Sequence, residues 1–195
     1  MINQALLWKT LSKKKVLDCH IFDVMTAERE TEDGRKGTFV EIKSPDWVVA
    51  IPWFLKDGVP YFIMEEQFRH GSESVTREFP AGLVEKGEED IEAAKRELME
   101  ETGIDGSFVR LGKVCPNNAF MSNRQSFFLV TDLEKKAGQS LDPDETTDVI
   151  EVPVEEVIRD MGTGLYDNGI MMMAIGFFMR YAESHPELRS KASAI

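Results

Sequence analysis

Gly82–Ile104 reads GLVEKGEEDIEAAKRELMEETGI, and the spacing inside this stretch decides how the chain folds. From Asp90 to Glu101 the apolar residues Ile91, Ala94 and Leu98 recur at i, i+3 and i+7 while acids crowd the other side, which predicts an amphipathic helix. Gly103 follows as its stop, because glycine tolerates the left-handed conformation found at helix ends. Glu97, Glu100 and Glu101 stand at i, i+3 and i+4, so their carboxylates project from one side of that helix. Like charges at those offsets repel, at a cost of roughly a few tenths of a kcal/mol per pair. Divalent cations that take carboxylate oxygens compensate such repulsion naturally. Taken alone, an acidic run of this kind is most often a solvated helix face.

On the N-terminal side the sequence reads as strands. Lys15–Thr26 contains Val16, Leu17, Ile21, Phe22 and Val24, and the charged stretch Glu28–Gly37 supplies a turn. Thr38–Lys43 alternates apolar and polar residues, as a half-buried strand does, and Ser44-Pro45-Asp46 breaks it. Trp47–Phe54 and Tyr61–Gln67 read as a hairpin across Asp57, Gly58 and Pro60. On the C-terminal side, Phe108–Val114, Gln125–Leu133 and Val149–Val152 are strand candidates, and Asp142–Asp148 is an acidic loop. A short helix is expected over Val154–Met161. After the break Gly162–Gly169 a last helix runs from about Ile170 to Ser184, with Met171–Met173 and Phe177-Phe178 packing it into the core. Strands flanked by a few helices predict an α/β layered domain with a mixed sheet.

Composition narrows the class. With 195 residues the chain can bury a substantial core, and 42% hydrophobic and 30% charged residues are ordinary for a globular protein. A net charge of −12 argues against nucleic acid as a partner, since phosphate backbones are bound through clustered Lys and Arg. Two cysteines, Cys19 and Cys115, stand far apart without CxxC spacing, so neither a disulfide framework nor a zinc site is expected. His20, His70 and His185 form no metal-ligand spacing either. The most apolar window, Ile170–Met179, is about half of what a bilayer crossing needs and reads as a buried helix. With no secretory signal at the N-terminus, a cytoplasmic protein without membrane contact is expected.

Read whole, the opening stretch matches the signature of the Nudix hydrolases: Gly82, five residues, Glu88, seven residues, Arg96-Glu97-Leu98, one residue, Glu100-Glu101, one residue, Gly103-Ile104. Seven fixed identities and two apolar positions arise by chance on the order of 10⁻⁷ times in such a chain. The resemblance implies the Nudix fold, an α/β/α sandwich around a mixed central sheet. It also implies hydrolysis of a diphosphate bond with Mg²⁺, or in its place Mn²⁺. By the same resemblance Glu97 and Glu101 match the principal metal ligands, with Glu100 and Glu88 assisting. Arg96 matches an arginine that orients these carboxylates, and Gly82, Gly87 and Gly103 are turn and cap residues.

Flanking residues resemble one branch of the family. Glu66-Gln67-Phe68-Arg69 and Arg77-Glu78-Phe79-Pro80-Ala81-Gly82 are similar to a run shared by ADP-ribose pyrophosphatases. The likeness implies that Ala81 offers its backbone carbonyl to a metal, that Arg69 contacts the substrate diphosphate, and that Glu78 lies near the nucleoside. Arginine suits a diphosphate because its planar fork gives two parallel hydrogen bonds. The branch further implies an N-terminal β subdomain over residues 1–46, a hydrolase domain over residues 47–195, and a homodimer built through the N-terminal strands.

One stretch departs from the branch. Where ADP-ribose pyrophosphatases carry Ser-Pro-Gly and then a glutamate proposed as general base, this chain has Asn118 and Asn123. An amide cannot accept a proton near neutral pH. Glu100 and Glu145 are the candidate replacements, unless metals alone activate the water, while Asn118, Asn123 and Arg124 become candidates for holding sugar or phosphate. The expected substrate is ADP-ribose or a related nucleoside-diphosphate sugar. GDP-mannose, NADH and dinucleoside polyphosphates are alternatives, as is a nucleotide sensor without turnover.

Overall fold

The computed structural model describes residues 2–141 and 146–189. The chain divides into two compact units, Met1–Asp46 with Cys115–Arg124, and Trp47–Val114 with Gln125–Ile195.

The first unit is an antiparallel meander of β1 (Trp8–Asp18), β2 (Asp23–Thr31) and β3 (Lys36–Lys43). The single strand expected over Lys15–Thr26 is instead the end of β1 and the start of β2. Its two apolar clusters flank a turn in which the Ile21 N–H bonds the Cys19 carbonyl at 2.7 Å and His20 takes a φ of 62°. The turn expected over Glu28–Gly37 is shorter than read, because β2 continues to Thr31 and only the residues around Gly34, at φ 86°, reverse the chain. The segment 115–124 is tied to β3: the Ile42 N–H bonds the Phe120 carbonyl at 2.8 Å and the Ser122 N–H bonds the Ile42 carbonyl at 3.1 Å.

The second unit is built on a mixed sheet of β4 (Trp47–Lys56), β5 (Val59–Arg69), β6 (Ser74–Glu78), β7 (Ala81–Leu83), β8 (Ile104–Val114), β9 (Gln125–Lys135) and β10 (Thr147–Pro153). The strand order is β10-β5-β4-β9-β8, with β6 added on β5 and β7 on β4. The central strand β4 runs parallel to β9 through Trp47–Pro52 and antiparallel to β5 from Trp53 onward. Asp57 and Gly58, at φ 51° and 73°, form the two-residue hairpin turn, a conformation that suits Asp-Gly. Pro60 falls within β5 opposite Leu55 and not in the turn.

Both faces of this sheet are apolar, as they must be when helices cover both. Val49, Ile51, Phe127 and Leu129 join one cluster with Val157 of α2 (Val154–Asp160) and Met171, Ile175 and Phe178 of α3 (Gly169–Ala182). Their neighbours Val48, Ala50, Phe128 and Val130 face the other way, toward Ala93, Ala94 and Leu98 of α1 (Asp90–Thr102). The alternation is the period-2 geometry of a strand read on two faces. In α3, Met171, Ala174, Ile175, Phe178 and Ala182 are buried at helical spacing, whereas Met172 points outward, 42% exposed. Among the described residues no helix is long and apolar enough to cross a membrane.

Candidate active site

The site is assembled on α1 and on β7 beside it. α1 has two acids in its first turn, favourable at the positive end of a helix, and ends at Gly103 in the left-handed conformation with its N–H on the Met99 carbonyl. Asp90 anchors the N-terminal end: its carboxylate accepts from Ser126 Oγ at 2.6 Å, Arg110 Nη1 at 2.9 Å and Lys113 Nζ at 3.1 Å. Burial opposes its charge, yet these three donors outweigh burial and lower its pKa to about 2. The opposite end is strapped by the end of β9 and the chain after it, with Lys135 Nζ on the Thr102 carbonyl at 2.5 Å and the Ser140 N–H on the Glu100 carbonyl at 2.7 Å.

Between those anchors Arg96 meets three carboxylates. Arg96 Nε and Nη2 each bond Glu88 at 3.1 Å, and Nη1 bonds Glu97 at 2.9 Å and Glu100 at 3.1 Å. Its Nη2 also donates to the Leu83 carbonyl at 2.9 Å, fixing the guanidinium to the strand end. Glu88 is held below its ordinary pKa, first by the Arg96 hydrogen bond. Arg96 therefore neutralises the like-charge repulsion that the spacing of the helix creates. Glu101 is 8% exposed, and one of its oxygens accepts the Ala81 N–H at 2.9 Å.

Gly82 sits in β7, inside a strand and not in the turn expected from sequence. A Cβ there would lie 2.1 Å from the Glu97 carboxyl carbon, so the missing side chain is the space that Glu97 occupies. The hard oxygen donors of Glu97, Glu100 and Glu101, with the Ala81 backbone alongside, suit a divalent cation of the Mg²⁺ class. Among the described residues no three acids, histidines or cysteines converge on one point, since the carboxylates turn toward Arg96 and Ala81.

Next to this cluster, β5 and β6 bring Arg69 and Glu78 together. Arg69 Nε and Nη2 donate to the two oxygens of Glu78 at 2.8 and 2.6 Å, a bidentate pair. Glu78 is 5% exposed and the Arg69 side chain 38%, so the carboxylate lies beneath the guanidinium. Thr76 Oγ1 also donates to Glu78. Burial works against the carboxylate, but the hydrogen bonds from Arg69 and Thr76 keep its pKa below the ordinary value. Burial likewise opposes the charge on Arg69, and Glu78, Glu101 and Glu65 together override it. Glu65 lies directly opposite Glu78 across the β5–β6 ladder and is also buried. The preceding residue, Arg77, reaches Glu66, Glu156 and the Tyr166 hydroxyl, all at 2.9 Å.

The expected site residues are thus distributed unevenly. Ala81, Arg96, Glu97, Glu100, Glu101, Arg69 and Glu78 belong to the second unit. Asn118, exposed, and Asn123, buried with no hydrogen-bond partner for its Oδ1 among the described residues, belong to the first. Glu145 lies outside the described residues. Thr76 was not foreseen, because a threonine in a polar strand carries no signal of the buried carboxylate it bonds.

Comparison with known proteins agrees with this geometry. The NUDIX domain matches residues 45–168. An ADP-ribose pyrophosphatase of Bacillus subtilis is 31% identical over 155 residues, 77% of this chain and 81% of that protein. A methanol dehydrogenase activator of Bacillus methanolicus is 27% identical over 153 residues, again 77% of this chain and 81% of that protein. A crystal structure of an ADP compounds hydrolase superposes with a TM-score of 0.81 over 95% of this chain and 100% of that one, at 19% identity.

Proposed function

The chain belongs to the Nudix hydrolase family, and from that premise we propose that it cuts the diphosphate bridge of ADP-ribose or a related nucleoside-diphosphate sugar, releasing a nucleoside monophosphate and a sugar phosphate. The observation that carries the reading is the pairing of two neighbouring features: the carboxylates of α1 gathered beside Ala81 and Gly82, and a half-exposed Arg69 buttressed by buried Glu78. The first suits a cation that bridges phosphates and the second suits the phosphates themselves.

Glu97 and Glu101, assisted by Glu100, Glu88 and the Ala81 carbonyl, are the residues we assign to hold Mg²⁺, with Mn²⁺ as a substitute. When bound, such a cation neutralises phosphate charge and makes a water more acidic. The chain's own contribution is position and charge. Arg96 holds Glu97 and Glu100 in place, and the Ala81 N–H orients Glu101. Arg69 spends Nε and Nη2 on Glu78, which leaves Nη1 to donate to a diphosphate oxygen. Phosphoryl transfer needs little more than such positioning and charge stabilisation. Glu100, 45% exposed at its side chain, is our candidate to take the proton of the attacking water, with Glu145 as the alternative. We assign Asn118 and Asn123 to substrate recognition, not to acid–base work. We also propose that two copies pair through the N-terminal sheet, on which Leu11, Val16, Leu17 and Val40 are exposed by 49, 52, 57 and 60%.

The test is a panel of ADP-ribose, ADP-glucose, GDP-mannose, NADH and diadenosine polyphosphates with millimolar Mg²⁺, following AMP, GMP and sugar-phosphate release. A clear preference for ADP-ribose supports the assignment. Preference for another compound makes the Asn118–Asn123 stretch the specificity element, and tight binding without turnover would replace the enzyme by a sensor.

A further inference from the structure

Arg77 precedes Glu78 on β6 and points to the opposite face of the sheet, because successive strand residues alternate. Glu78 and its ladder partner Glu65 share the face of Ile63, which packs with Leu98 of α1. Arg77 and its ladder partner Glu66 share the face of Phe62 and Met64, which α2 and α3 cover. The two neighbours therefore hold β6 from its two sides.

On the α2 and α3 side the contacts close into a network. Arg77 Nε donates to Glu66 at 2.9 Å, and Nη1 donates to Glu156 of α2 and to the Tyr166 hydroxyl, each at 2.9 Å. The Tyr166 hydroxyl donates in turn to the same Glu156 oxygen at 2.8 Å, and its ring centre lies 5.5 Å from the guanidinium. Burial raises the Tyr166 pKa to about 12, so the proton on which that bond depends stays in place at neutral pH. With three polar partners and a side chain only 24% exposed, Arg77 is committed to the protein and not to a ligand.

β6 has five residues and pairs with β5 along one edge, so the ladder alone leaves its outer side unsupported. The residue after Glu78 is anchored as well: Phe79 is 1% exposed, and its N–H points at Met171 Sδ at 2.9 Å. Glu78 is thus set between two anchored neighbours, and the bidentate pair it makes with Arg69 inherits that placement. Released from Glu156 and Tyr166, this end of β6 can move relative to the helices, and the fork that aims Arg69 moves with it.

We propose that Arg77 is a positioning residue for substrate binding: by tying β6 to α2 and to Tyr166 it holds Glu78 where that carboxylate aims Arg69 at the diphosphate. The inference rests on the assignment of Arg69 to the diphosphate made above.

The variants that test it are Arg77→Gln, Tyr166→Phe, Arg69→Lys and the double variant Arg69→Lys/Arg77→Gln. Arg77→Gln is expected to raise KM for ADP-ribose about tenfold, the scale of one hydrogen bond to a charged group, with kcat within about twofold of wild type. A residue that only stabilised the fold would lower Tm and the active fraction while leaving KM unchanged. Tyr166→Phe keeps the ring against the guanidinium and removes only the hydroxyl, so it is measurable even should Arg77→Gln not fold, and it should raise KM about threefold. Arg69→Lys should raise KM at least tenfold. In the double variant Arg77 has no fork left to aim, so its KM should match that of Arg69→Lys within about twofold. If the two effects multiply instead, Arg77 acts apart from Arg69 and the inference is overturned. If Arg69→Lys raises KM while Arg77→Gln and Tyr166→Phe leave it unchanged, the inference is overturned and the assignment of Arg69 stands. If Arg69→Lys leaves KM unchanged, the assignment of Arg69 falls and the role of Arg77 in binding falls with it.

Discussion

Replacing Gly82 by alanine isolates the closest approach in the candidate site. The added Cβ would stand 2.1 Å from both the carboxyl carbon and one oxygen of Glu97, and 2.4 Å from the other oxygen. Ordinary contact begins near 3.4 Å, so the carboxylate must retreat by about 1.3 Å or more. The backbone itself does not resist, because Gly82 is not in the left-handed region, and a strand glycine gains roughly 0.4–1 kcal/mol on becoming alanine. Against that gain stands the Arg96–Glu97 hydrogen bond, about 1 kcal/mol for a charged pair that is partly exposed, while Arg96 keeps Glu88 and Glu100. The two changes nearly cancel, so Tm should move by no more than about 3 °C. Activity should respond very differently, since a 1 Å misplacement of a catalytic group costs about 100-fold. The assay is kcat for ADP-ribose in millimolar Mg²⁺ alongside a thermal melt of the same preparation. A Gly82→Ala enzyme with wild-type kcat would refute the reasoning, because it would mean that Glu97 does not need the place that the glycine reserves.

Three further outcomes are expected. Glu97→Gln and Glu101→Gln should each lower kcat by about 10²–10³-fold with little change in melting, as a Gln oxygen can still accept from Arg96 at position 97 and from the Ala81 N–H at position 101; near-normal turnover in either would remove that residue from the metal site. Asp90 has a pKa depressed to about 2, so the stability it contributes is present above the ordinary carboxylate range and is lost as pH falls from about 4 toward 2. Asp90→Asn should therefore be less stable than wild type by about 1–2 kcal/mol at pH 7, with the gap closing at pH 2–3 in denaturant titrations; a gap that persists would mean that the donors around Asp90 do not depend on its charge. Asn123→Asp should lower kcat/KM for ADP-ribose by about tenfold, the scale of one hydrogen bond to a charged substrate, and a rise instead would place position 123 beside the attacking water.

Much of this site was legible before folding, and the reason is distance along the chain. The box helix declares itself within its own turns: Ile91, Ala94 and Leu98 mark the buried face, Glu97, Glu100 and Glu101 share a side, and Gly103 ends it. Asp57-Gly58 likewise carries its own turn conformation. By contrast, β1 is exposed along its whole length, so no burial pattern marks Trp8–Lys14 as strand, and the apolar pairs on either side of His20 read as one element. β6 and β7 are too short to show a period.

The sequence by itself determined the helix, the order of its carboxylates and, through the full signature, the family, because each of these depends on residues a few positions apart. Only the tertiary structure decided that Gly82 is a space for Glu97 and that Glu78 is buried beneath Arg69. Those contacts follow from which strands lie side by side and how deeply they are buried. Local spacing does not encode either one, because both are set by the packing of the apolar sheet between its helices.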